Sequence, residues 1–197
     1  MRATSSPASP LLPTQAAELV LDFVNTRAID GSVERFADGA GMAAWLVEAG
    51  LMDRGVPVTD ADAAVARELR HALVDVLLAH AGHGAAEAAE EHLRRSGQLH
   101  PVLPIVTAAG ASLPPAQAGV SGTLGRILAA AAELAIRGTW SRVKACQNPP
   151  CQLAFYDRSR NTSASYCGPA RCGAQVAMRA YRARQHEKDR ETNDASP

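Results

Sequence analysis

A chain of 197 residues and 20.6 kDa has room for one domain, or for one domain carrying a small appended module. With 47% of residues apolar, 20% charged and a mean hydropathy of −0.10, it fits neither a disordered acidic segment nor a membrane protein, and no unbroken apolar run reaches the roughly 18 residues of a bilayer span. The formal net charge of zero hides a polarity: residues 1–139 hold ten basic against fifteen acidic side chains, whereas residues 140–186 hold eight basic side chains against Asp157 alone, so an anionic partner suits the second part.

Residues 1–13, with Ser, Pro and Thr and no continuous apolar block, read as a flexible leader and not a secretory signal, which makes the cytoplasm the expected address. Residues 14–28 (TQAAELVLDFVNTRA) set Ala16, Leu19, Val20, Phe23 and Val24 at helical spacing. Residues 41–49 repeat the pattern with Met42, Trp45, Leu46 and Ala49, and Gly50 supplies the stop. Thr59, Asp60 and Asp62 then cap a longer helix through about His80, with Val65, Leu69, Leu73, Val76 and Leu77 as its buried stripe. Residues 85–95 predict a further, Ala-rich helix. Between Gln98 and Ala118, four prolines break the period and short apolar pieces such as 102–106 predict a small β-hairpin. Helical spacing resumes from Ser121 to about Arg142, leading straight into the cysteines.

All four cysteines fall within 27 residues, as CQNPPC and CGPARC, with four, fifteen and four residues between successive members. Two close pairs so separated suit a tetrahedral zinc site, because each short loop offers two thiolates and the segment between folds back to complete the set. Pro149, Pro150, Gly168 and Pro169 help the loops turn sharply. Cys146, Cys151, Cys167 and Cys172 are therefore the expected ligands of one structural Zn2+; two disulfides are the alternative, disfavoured in a reducing cytosol. Four thiolates leave no open position for water, so a catalytic zinc is not expected. His71, His80 and His83 read as solvent-facing residues near a helix end, not as a second metal site.

Residues 173–186 (GAQVAMRAYRARQH) predict a helix with Gln175, Arg179, Arg182 and His186 on one face and Val176, Ala177, Ala180, Tyr181 and Ala183 on the other. With Lys144, Arg158, Arg160, Arg171 and Arg184 nearby, Gln175, Arg179 and Arg182 make a candidate surface for double-stranded DNA, even after part of the positive charge offsets the zinc–thiolate centre. Residues 187–197 are polar and read as a frayed tail. In the first part, Asp22, Asn25 and Thr26 lie among apolar residues of the first helix and, with Trp45, are candidates for a small-molecule pocket; helix capping and backbone contacts are the plainer use of the three polar residues.

The stretch CQNPPCQLAFYDRSRNTSASYCGPARCGAQVAMRAYRAR (146–184) resembles the CGNR zinc finger, and LVLDFVNT followed by AAWLVEAGLM resembles the start of the ABATE domain that precedes it. The resemblance implies a bacterial transcription regulator, often stress-associated, whose finger contacts DNA and whose N-terminal domain senses something. Where the name-giving tetrad reads Cys-Gly-Asn-Arg, this chain has Cys172, Gly173, Ala174 and Gln175, losing an amide and a cation at the start of the helix. Ser163, Ala164 and Ser165 stand before Tyr166 where relatives carry Arg and an aromatic residue. Gln175 retains the chemistry to bond an adenine edge, and Arg179 and Arg182 suit phosphate or guanine.

The expected architecture is mainly α: a helical, ABATE-like sensor domain over 14–139 with a small β-hairpin, then a zinc-finger module over 140–186 ending in a helix. A homodimer is expected, because one small module contacts few base pairs. Two rivals remain, an adaptor gripping an acidic protein and a thiol redox sensor that releases zinc. Walker, Gly-x-Ser-x-Gly, dinucleotide-glycine and His-Glu-x-x-His patterns are missing, so an enzyme is not expected.

Overall fold

Thr59 and Asp62 show why the longest helix of the first domain begins where it does. In the computed structural model, which describes residues 13–29 and 31–194, the Thr59 hydroxyl accepts from the Asp62 amide (3.1 Å) and the Asp62 carboxylate accepts from the Thr59 amide (2.8 Å). This reciprocal cap satisfies two donors that the first turn would otherwise orphan. It opens α3 (Asp60–His80). Before it run α1 (Pro13–Val24) and α2 (Gly39–Glu48), the latter capped by the Asp38 carboxylate; after it come α4 (Glu87–Leu99), α5 (Gly119–Ile136) and α6 (Ala174–Asp194). Among the described residues two antiparallel pairs accompany the helices: β1 (Ile105–Thr107) with β2 (Gly110–Ser112), and β3 (Val143–Ala145) with β4 (Ala154–Tyr156). The protein is mainly α, as expected.

The core lies where α1 packs on α5 and α3. Phe23, Phe36 and Trp45 form its aromatic centre, with ring centroids 5.3–6.1 Å apart, a spacing that favours tilted and edge-on contacts. Val143, Ala145 and Ala154 belong to the same buried cluster. The β3–β4 hairpin of the cysteine module is thus continuous with the helical core. By length and composition α5 could cross a membrane, yet Leu124, Ile127, Ala130 and Leu134 are buried in that core.

Several boundaries differ from the sequence-based expectation. The first helix stops at Val24 because Thr26 turns back, its hydroxyl donating to the Phe23 carbonyl (2.7 Å). On α3, Val65 is 40% exposed and Ala63, Ala66 and Arg70 are buried instead; alanines carry part of the inward face, so bulk misreads its phase. The fifth helix ends at Ile136, short of Arg142. Gly138 takes φ +69°, and the Thr139 amide reaches back to the Leu134 carbonyl (2.9 Å), a terminating motif that needs a left-handed residue. A 3-10 turn over Trp140–Arg142 follows. Residues 1–12 of the expected leader and 195–197 of the expected tail lie outside the described residues, whereas α6 carries helical backbone through Asp194.

Candidate metal centre and basic helix

Strand β3 delivers Cys146, and the chain then folds tightly around the sulfurs. The Cys151 and Gln152 amides both donate to the Asn148 carbonyl (2.9 and 3.0 Å), which closes the first loop. The Gln147 amide donates to Ser165 (2.9 Å) and brings the second loop alongside, where a wide helical turn over Pro169–Gly173 presents Cys172. All four Sγ atoms lie within 4.8 Å of one another, with Cys151–Cys167 at 3.7 Å and Cys167–Cys172 at 3.6 Å. A tetrahedron with Zn–S bonds of about 2.3 Å has sulfur–sulfur edges of about 3.8 Å, whereas a disulfide bond is about 2.05 Å. The cysteines are unbridged, and the spacing is that of ligands.

The donor chemistry agrees. Cys146, Cys151 and Cys172 are buried and Cys167 is half-buried. Burial pushes the Cys151 and Cys167 thiols up, and for Cys167 the neighbouring sulfurs push further. Burial also raises Cys172, but hydrogen bonds from Asn148 and the other cysteines bring it below the ordinary thiol value. A bound dication deprotonates the thiols that coordinate it. Cys146, Cys151, Cys167 and Cys172 hold one structural Zn2+.

Lys144 departs from its expected role. It is 3% exposed, so it is removed from the set of candidate DNA contacts. Its ammonium donates to Asp157 (2.9 Å) and to the Thr162 and Ala164 carbonyls (2.6 and 3.1 Å). Asp157 also accepts from the Ser159 and Ala164 amides (2.8 and 2.9 Å). This buried pair braces the loop between the two cysteine pairs. Arg142 assists, donating to the Asp157 and Ser159 carbonyls (both 3.0 Å).

The other candidate DNA contacts are exposed. Arg171, Gln175, Arg179 and Arg182, with Met178, line an open groove of about 680 Å3 beside α6. Buried Asn148 organises two of them: its oxygen accepts from Arg179, and its amide donates to the Gln175 oxygen (3.3 Å). The Gln175 oxygen is thus engaged within the protein, while its amide hydrogens keep the capacity to bond an adenine edge that the sequence leads one to expect. Arg184, on α6, and Arg158 and Arg160, in the loop after β4, are exposed but do not line the groove.

Asp22, Asn25 and Trp45 do not converge on one pocket. Asp22 lies at the surface, where partial desolvation and then nearby Glu18 raise its pKa. Trp45 fills the aromatic core. Asn25 clamps β4, its amide donating to the Ala154 carbonyl (3.0 Å) and its oxygen accepting from the Ala154 amide (2.8 Å). His80, expected in solvent, is half-buried: Nδ1 lies 2.8 Å from the Val143 carbonyl, and the ring meets Trp140 edge-on at 5.2 Å. Burial pushes its pKa down.

Sequence reasoning also missed Arg70. It is 1% exposed, forks onto Glu34 with two 2.7 Å bonds, donates to Thr26 (2.9 Å) and lies 5.4 Å from the Phe36 ring centre. Its partners sit far away in sequence, where no periodicity signals them. Asn148, inside CQNPPC, was visible as a polar residue in a ligand loop, and that was its signal.

The fold and site define a helical domain whose core runs on into a four-thiolate zinc module with a basic terminal helix. Residues 17–138 match the ABATE family, described as "Putative stress-induced transcription regulator", and residues 142–185 match the CGNR zinc finger. No curated protein matches the chain. The chain belongs to the ABATE family and carries a CGNR zinc finger.

Proposed function

We propose that this protein is a cytoplasmic transcription regulator that binds duplex DNA through the groove face of α6, with the helical domain governing how that face is presented. The observation that carries the reading is the convergence of Arg171, Gln175, Arg179 and Arg182 on one open groove beside a zinc-built turn. It offers donors and positive charge, which suit phosphate oxygens and the guanine edge. A homodimer placing two such helices on half-sites about 34–36 Å apart supplies the contacts that one module lacks. A small-molecule or protein effector acting on the helical domain is the regulatory part of the proposal.

The test is fluorescence anisotropy on duplex DNA across a salt series. Affinity falls steeply with salt, and Arg179→Ala with Arg182→Ala weakens it across sequences and flattens the log–log slope by roughly one unit per lost phosphate contact. An unchanged slope in the double variant, or equal binding to heparin, contradicts the reading. A second reading has its own observation: Met178 and Tyr181 are 53% and 52% exposed next to the arginines, an apolar and cationic mixture that suits an acidic protein partner. Retained binding to such a partner with no duplex preference favours it.

A further inference from the structure

A zinc ion held by four thiolates carries a formal charge of −2, and burying it is unfavourable unless positive charge stands near. Within the cysteine module Lys144 is committed to Asp157, while Arg158 and Arg160 face solvent. The helical domain brings a further cation to the site. Arg27, in the loop after α1, reaches to the residue following ligand Cys151: Nη1 donates to Gln152 Oε1 (3.1 Å) and Nη2 to the Gln152 carbonyl. Gln152 adopts φ +44°, a left-handed conformation costing about 1 kcal/mol or more for a residue with a side chain.

The surrounding charges point the same way. Arg27 is opposed by burial and by the like charge of Arg70, both of which lower its pKa; Cys151 and Glu34 act in the other direction. Glu34 is already bound by Arg70 through both oxygens. That leaves the Cys151 sulfur as the other anionic neighbour of Arg27. Arg27 Nε is moreover buried without a hydrogen-bond partner, an expensive placement for a guanidinium unless negative charge compensates it.

We propose that Arg27 is the outer counter-charge of the zinc–thiolate centre: a residue of the helical domain that, without coordinating the metal, sets how tightly the finger retains its zinc. The proposal is independent of DNA binding. It makes the metal site a joint product of both parts of the chain.

The test measures zinc affinity of the intact protein by competition with a chromogenic chelator. Arg27→Gln and Arg27→Met weaken zinc binding by roughly 10- to 100-fold, the range typical of partners that surround metal ligands. Arg27→Lys restores most of the affinity, because it keeps the charge while losing the fork onto Gln152. Asn25→Ala, which loosens the same interface without changing charge, stays close to wild type. Cobalt-loaded samples, read by the sulfur-to-metal absorption, verify that each variant still assembles four-sulfur coordination. Neutral variants that bind zinc as tightly as wild type overturn the proposal. So does an Arg27→Lys protein that loses zinc as they do, or an Asn25→Ala protein that matches their loss, since docking and not charge then holds the metal.

Discussion

Lys144 and Asp157 show what a single buried pair decides. Together they join β3 to the loop between the cysteine pairs through charge-assisted bonds, so removing one partner strands a buried charge. Asp157→Ala is expected to destabilise the protein by about 3–5 kcal/mol, while replacing both residues with apolar ones of similar volume recovers most of that loss; urea unfolding of the three proteins measures both. Burial alone raises the Asp157 pKa, but Lys144, Ser159 and the Ala164 amide together hold it well below the usual carboxylate range. Because the folded value is depressed, this stabilisation is present above the unfolded value of about 3.9 and is lost as pH falls through the folded one. Asp157→Ala should therefore flatten the acid limb of the stability–pH curve below about pH 4. A side chain's sign is legible in sequence but its depth is not, which is why Lys144 reads as a surface cation until the fold buries it. The cysteines differ because their spacing itself encodes geometry.

At the scale of elements, the helices were the legible part, since α1, α2, α3 and α5 bury apolar faces that recur every 3.6 residues. Strands β3 and β4 are three residues each, too short for alternation to register. Their placement depends on Asn25, which pairs with both backbone groups of Ala154 as a neighbouring strand would. Asn25→Ala leaves those groups without their partner and is expected to cost about 1–3 kcal/mol. Hydrogen exchange checks the location of the effect: the Ala154 amide should exchange faster in the variant, while amides in the middle of α5 change only with global stability. Equal acceleration throughout contradicts a local clamp. In α6, the predicted basic face is present, but Asn148 redirects Gln175 and Arg179, a contact between chain-distant residues that helical periodicity does not encode.

For the whole molecule, the change in charge and composition near residue 140 reads as a seam between modules, yet the packing crosses it. Val143, Ala145 and Ala154 share the helical core, and Gln147 donates to the Ala81 carbonyl at the end of α3. Residue patterns mark where one kind of sequence ends; they do not register which surfaces meet. A zinc-free protein is accordingly expected to lose order in the finger and also to weaken the helical domain, visible as a lower Tm for the whole chain after chelation. The most direct measurement is native mass spectrometry of the purified protein before and after Cys151→Ser with Cys172→Ser. The account predicts one zinc per chain in the wild type and none at stoichiometry in the double variant. A wild-type protein without stoichiometric metal, or a variant that keeps its zinc, contradicts it.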